Sequence, residues 1–267
     1  MKNALESHLR RCSFYLMGGA SWILEFEGIT IGCDPALAPA GTEYNPGKRI
    51  IDPILPLDGT NQIDYWLLTH NHVDHIDEKG INYISPLSRI IAHPNLMPRV
   101  TGLRGPVTYL NRGEETIFEH HGYRLIVKAM PAVHGSSPEM VGNMGSVNGY
   151  LITLLKAQHR LTVYITGDTV TDPRIYEALN TQTVDILIAN LGNAYASQLG
   201  GPITLSVNMF EDILHCIKPK IALPVHINDF DWFEMAKSDI ARLPELPGVT
   251  MPQIGAWTEL KNLQHES

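Results

Sequence analysis

The chain has 267 residues, 44% hydrophobic and 18% charged, the ordinary composition of a globular protein long enough to bury a sizeable core. Its 20 basic and 28 acidic side chains leave a formal charge of −8, which gives no general electrostatic footprint for nucleic acid. Cys12, Cys33 and Cys216 are odd in number and far apart, so a disulfide framework and a paired CxxC zinc site are both excluded and a reducing compartment is expected. Residues 1–11 are polar with no apolar core of signal-peptide length, and no segment holds the roughly 18 uninterrupted apolar residues of a spanning helix. A cytoplasmic protein without membrane or nucleic-acid partners follows, with a homo-oligomer left open.

Short apolar runs rich in β-branched and aromatic residues, bounded by turn residues, predict buried strands. In chain order they are 13–17, 21–26, 29–33, 65–68, 125–129, 150–155, 162–165, 186–189 and 221–225. Glu27-Gly28 joins two of them as a tight turn, so the first third begins as an antiparallel meander. Helices are predicted after Asp74, over 174–179, over 206–217 and over about 232–243. In the third of these, Val207, Phe210, Ile213, Leu214 and Ile217 form a stripe that faces the core. Residues 35–46 and 194–202 are rich in Pro and Gly and read as long loops, where binding residues often sit.

The strongest chemical signal is Leu67-Leu68-Thr69-His70-Asn71-His72-Val73-Asp74-His75, an apolar strand running directly into three histidines and an aspartate. A strand end followed by a turn splays alternate side chains toward one point, and imidazole plus carboxylate is the donor set of zinc, manganese and iron. Further candidates follow strand ends: Asp34 in Gly-Cys-Asp-Pro, His134 in Ala-Val-His-Gly, Asp168 in Thr-Gly-Asp-Thr and His226 in Leu-Pro-Val-His. A carboxylate such as Asp168 at the end of a buried strand needs a cationic partner.

The pattern His-x-His-x-Asp-His, with these four motifs in order after and before it, resembles the metallo-β-lactamase superfamily. The resemblance implies a four-layer αβ/βα sandwich and a single domain over residues 1–267. It further implies two divalent ions, one held by His70, His72 and His134, the other by Asp74, His75 and His226, with Asp168 bridging. Asp34 is grouped with Asp74 among the catalytic residues, orienting the ligating imidazoles. Two ions about 3.5 to 4 Å apart share a water, lower its pKa and deliver hydroxide to carbon or phosphorus. Zinc or manganese is expected, with iron also compatible.

Other histidines are not assigned to the site: His93 ends a strand, His120 and His121 lie in a hairpin turn, and His215 lies within a helix beside Cys216. Cys33 adjoins Asp34 and is expected to be buried and inert. Among branches of the superfamily, Gly18-Gly19-Ala20-Ser21, Asn148-Gly149-Tyr150 and Gly167-Asp168-Thr169 are similar to the branch containing ascorbate-6-phosphate lactonase. A hydrolase of an ester, lactone or phosphoester bond in a small molecule is therefore expected, lactonase-like foremost. Asn193 and Tyr195 are candidate substrate contacts. The alternatives are a phosphodiesterase acting on nucleotide or lipid and a non-catalytic metal-binding regulatory protein; the presence of all seven ligand-type residues favours an enzyme.

Overall fold

The computed structural model describes residues 12–57, 62–98, 101–157, 159–233, 235–261 and 263; the reading of residues 1–11 lies outside them. Strands β1 (Cys12–Gly18), β2 (Ser21–Phe26) and β3 (Ile29–Cys33) form the expected meander. Its second turn places both Glu27 (φ 52°) and Gly28 (φ 81°) in the left-handed region, the conformation whose twist suits a two-residue hairpin. β4 (Tyr65–Leu68) then lies parallel to β3; after α1 (Glu78–Tyr83), β5 (Arg89–Ala92) and β6 (Val107–Tyr109) continue the sheet in parallel.

The second sheet repeats this plan. β7 (Glu115–His120), β8 (Tyr123–Pro131), β9 (Asn148–Lys156) and β10 (His159–Ile165) are antiparallel, with α2 (Pro138–Met144) between β8 and β9. Past α3 (Pro173–Leu179), β11 (Ile186–Asn190) adds in parallel to β10. A small ribbon of β12 (Tyr195–Ala196) and β13 (Gly201–Pro202) precedes α4 (Val207–Ile217), and β14 (Ile221–Val225) lies parallel to β11. After α5 (Lys237–Arg242), β15 (Trp257–Glu259) returns to pair with β1 at the edge of the first sheet.

Four layers result because both faces of each sheet are covered, which is why the strands read as continuous apolar runs. Phe14, Trp22 and Leu24 of the first sheet interleave with Leu125, Val127, Tyr150 and Ile152 of the second in the central core. Trp66, Leu68 and Ile90 pack outward with Ile81 and Tyr83 of α1. On the other side, Tyr164 and Leu187 meet Ile175 and Leu179 of α3 and Val207, Phe210, Ile213 and Leu214 of α4. The α4 stripe is thus a core face, and its first turn is capped by Ser206, whose hydroxyl accepts the Met209 N–H. Among the described residues no helix is long and apolar enough to cross a membrane.

One helical expectation is corrected. Residues 232–243 do not form one helix: α5 covers only Lys237–Arg242, followed by a 3-10 turn at Leu243–Glu245. Upstream, Trp232 and Phe233 pack instead with Phe230, whose ring centroid lies 4.6 Å from that of Trp232. The Asn228 side chain closes this loop by donating to Met235 O (2.8 Å) and accepting from Met235 N (3.1 Å), so tertiary aromatic packing overrides helical spacing.

Strands β3, β4, β8, β10 and β14 all finish on one rim of the sandwich. The sheets are joined there by the Tyr150 hydroxyl, which donates to Leu68 O at 2.9 Å, and by the Asn148 N–H, which donates to Thr69 O at 3.2 Å. Beneath the rim, β3 and β4 pair Gly32 with Trp66, and a Cβ on Gly32 would stand 2.5 Å from the indole. Gly32→Ala is therefore expected to cost about 1 to 3 kcal/mol by overpacking. The check is a urea midpoint that falls at unchanged slope; an unmoved midpoint would contradict this packing.

Candidate metal centre

The site is organised by Asp34, which directly follows β3 and is buried with a left-handed backbone (φ 42°). Its Oδ1 accepts the Thr69 N–H at 2.8 Å, and its Oδ2 accepts the Thr69 hydroxyl at 2.6 Å and His75 Nδ1–H at 2.7 Å. Because the single hydroxyl proton of Thr69 is committed to this carboxylate, the 3.0 Å contact with His70 Nδ1 has the imidazole donating. Both His70 and His75 consequently present Nε2 to the rim. His134 is fixed the same way, Nδ1–H donating to Ile203 O at 2.7 Å.

These tautomers bring two sets of donor atoms together. His70 Nε2 lies 3.0 Å from His72 Nδ1, which lies 3.3 Å from His134 Nε2. In the second set, His75 Nε2 is 3.2 Å from Asp168 Oδ2, and His226 Nε2 is 3.5 Å from Asp74 Oδ2 and 3.8 Å from Asp168 Oδ1. Asp168 Oδ2 also lies 3.7 Å from His134 Nε2, so this carboxylate faces both sets. Gly167 (φ 59°) turns the chain after β10 against Asn148 O, where a Cβ would approach to 2.8 Å, and Asn190 Nδ2–H holds Asp168 Oδ1 at 3.0 Å.

The residues fit divalent metal ions. Tetrahedral ligands at about 2.0 to 2.1 Å from an ion are separated by roughly 3.3 Å, close to the spacings above. Moreover, the buried Nε2 atoms of His75 and His226 face the Asp168 and Asp74 oxygens at 3.2 and 3.5 Å without hydrogen-bonding alignment, an arrangement that is costly unless something binds between them. Burial and the neighbouring imidazoles hold His70 well below the ordinary histidine range, and burial together with His134 lowers His72 to about 4. Burial likewise lowers His134. Their ligand nitrogens are deprotonated at neutral pH, as metal binding requires. His75 goes the other way: burial lowers it, but Asp168 and Asp34 outweigh burial and raise it. Burial pushes Asp74 up, yet His75 and His226 prevail and bring it to about 2, so it is ionised.

The remaining sequence candidates fall elsewhere. Neither Asn193 nor Tyr195 lines the cavity in front of the donor atoms; Ala194 between them does, and Tyr195 is 52% exposed. The alternation of side chains at the start of β12 turns Ala194 inward and Tyr195 out. His93 caps the 3-10 turn Pro94–Leu96 through its Nδ1, which accepts Asn95 N–H. His120 and His121 lie at the β7–β8 hairpin, where His120 Nδ1 meets the Tyr65 hydroxyl at 3.0 Å. Cys33 is buried, and burial with Asp34 raises its thiol well above the ordinary range, leaving it inert.

Sequence reasoning missed the supports behind His226. Asp229 accepts the Gly19 and Ile227 N–H groups, while Gly19 O accepts His226 N–H at 3.0 Å, fixing the left-handed His226 (φ 64°). Arg49 is fully buried, donates to Ile51 O and Ala36 O, and lies 5.3 Å from the Phe230 ring centroid. Asn190 could have been found, since it ends a buried strand as Asp168 and His226 follow theirs; Arg49 and Asp229 carry no such signal.

The family described as beta-lactamase superfamily domain matches residues 33–227, a span holding Asp34 and all seven candidate ligands. A UPF0173 metal-dependent hydrolase of Staphylococcus saprophyticus is 25% identical over 221 residues, covering 79% of this chain and 90% of that protein. The N-acyl-phosphatidylethanolamine-hydrolyzing phospholipase D 1 of Caenorhabditis elegans is 25% identical over 138 residues, 44% of this chain and 36% of that protein. In fold, the chain is similar to the isothiocyanate hydrolase from Delia radicum gut bacteria, with a TM-score of 0.76 at 19% identity over 94% of this chain and 100% of that one. With the family match covering most of its length and its fold, the chain belongs to the metallo-β-lactamase superfamily and is a metal-dependent hydrolase.

Proposed function

We propose that the chain hydrolyses an ester, lactone or phosphoester bond of a small molecule, ester and lactone foremost, using two divalent ions, zinc or manganese by the character of the donors. One ion would be held by His70, His72 and His134, the other by Asp74, His75 and His226, with Asp168 shared. The observation that carries this reading is the convergence of two donor sets on one carboxylate, Asp168, at 3.2 and 3.7 Å from a histidine nitrogen of each. We place the activity in the cytoplasm, in keeping with three free cysteines.

When bound, two such ions supply an acidified water and a Lewis acid for the substrate oxygen. The protein's own groups set the geometry. Asp34 and Thr69 lock His70 and His75 in the tautomers that aim Nε2 at the rim, and Ile203 O does so for His134. Asp74, held ionised, can hold a cation and donates no proton at neutral pH. In ester cleavage the water oxygen bonds to the acyl carbon, the acyl carbon–oxygen bond breaks, and a water proton ends on the departing oxygen.

Purified wild-type protein is expected to carry about two transition-metal ions per chain by elemental mass spectrometry. Asp168→Ala should lose at least one of them together with nearly all ester or lactone hydrolysis; a variant retaining both ions and full turnover would contradict the reading. Asp34→Ala should weaken metal affinity by about 10- to 100-fold, measured by competition with a chelating dye.

Stability of the metal-free protein should also depend on pH. Below 6.5 the unfolded chain takes up protons on His70, His72 and His134 that the folded chain, with these groups lowered, refuses. His75 has the opposite sign, but its contribution is already complete below 6.5. The thermal midpoint is therefore expected to fall between pH 6.5 and about 4, the value of His72; a constant or rising midpoint across that window would contradict these shifts.

A further inference from the structure

The cavity before the donor atoms has a volume of roughly 300 Å³, the small end of the range for ligand sites. Its walls beyond the ligand-type residues are formed chiefly by Val73, Met144, Ile203, Trp232 and Phe233. Among the described residues no lysine or arginine lines it. The added polar side chains are the uncharged Asn45, Asn71 and Thr204, and the Thr204 hydroxyl already accepts Ala194 N–H at 2.8 Å. Arg49 is a buried cation behind this aromatic wall, stacked over Phe230, and its guanidinium donates to two backbone carbonyls instead of facing the cavity.

A substrate carrying a phosphate or carboxylate away from its scissile bond would bury that charge against Trp232 and Phe233 with no counter-ion, which is strongly unfavourable. An aliphatic group in the same position gains from contact with these rings and with Met144. Two bound ions would exceed the charge of the Asp74 and Asp168 carboxylates, but that excess would face the scissile bond and its water, not the Trp232 and Phe233 wall.

We propose that the cavity selects an uncharged substrate whose acyl portion is short and apolar, a short-chain ester or lactone, and excludes the counterpart bearing a distal anionic group. This inference rests on the hydrolytic reading above for its chemistry and on the cavity walls for its selectivity. It sets aside sugar phosphates, nucleotides and phospholipids as substrates. Trp232 is the specificity-determining residue of the wall.

The test is a matched pair on the zinc-reconstituted protein, 4-nitrophenyl butyrate against 4-nitrophenyl hydrogen succinate, which differ by a methyl group replaced with a carboxylate. The succinyl carboxylate expels 4-nitrophenolate unaided by closing to the cyclic anhydride, so protein-free rates are subtracted, and the kcat/KM ratio is then expected to favour butyrate by at least about tenfold. Trp232→Ala should move the preferred acyl chain toward greater length by opening the wall. In parallel, quenching of tryptophan fluorescence by the uncleavable anilides of the same two acids reads binding without turnover. Preferential binding of the butyric anilide with no hydrolysis of either ester would uphold the selectivity and defeat the hydrolytic reading alone. Equal or better hydrolysis or binding of the succinyl compound would overturn the inference.

Discussion

Three polar hydrogens, from the Thr69 amide, the Thr69 hydroxyl and His75 Nδ1, meet the buried carboxylate of Asp34, and the rest of the centre is built outward from that contact. Asp34 immediately follows β3 and Thr69 immediately follows β4, so the interaction is available only because those strands run parallel with Cys33 beside Leu67 and finish within one residue of each other. Through the Thr69 hydroxyl it fixes His70, and directly it fixes His75, so one carboxylate sets an imidazole in each donor set. A buried carboxylate with all its partners supplied is stable where an unpaired one would not be. Replacing it would free both rings at once.

The architecture places every other donor by the same device. In each sheet a meander leads into parallel strands, and the carboxyl ends of those strands open on one rim, the usual place for chemistry in sheets of this kind. His134, Asp168 and His226 leave β8, β10 and β14 at that rim, held by Ile203 O, Asn190 and Gly19 respectively. Asp34 and His226 adopt left-handed backbones that side chains rarely take, and such strain concentrates where a side chain must be aimed and its surroundings hold it there. Burial foremost, then repulsion among imidazoles and attraction between imidazole and carboxylate, set the protonation states.

Much of this was legible in the sequence, for a physical reason. Strands covered on both faces must be apolar throughout, so β2, β3, β4 and β14 stand out at their full lengths, and a polar residue immediately after such a run has few structural explanations. That logic points to Asp34 and His226, directly after β3 and β14, and more loosely to His70 and Asp168, two and three residues past β4 and β10. It fails for β5, β6, β7 and α2, which are short, peripheral or alternating, and for residues 232–243, where aromatic packing near the cavity displaces a helical pattern. It fails as well for Arg49 and Asp229, whose contacts arise from neighbours distant in the chain; in the loop of Asn193 and Tyr195, Ala194 is the residue that lines the cavity.

The central claim is that two ions sit on the two donor sets with Asp168 between them, and anomalous diffraction from zinc-loaded crystals addresses it most directly. The account predicts two zinc peaks about 3.5 to 4 Å apart, one among His70, His72 and His134 and the other among Asp74, His75 and His226, each within bonding distance of Asp168. A single peak under saturating zinc, or peaks away from these side chains, would contradict it.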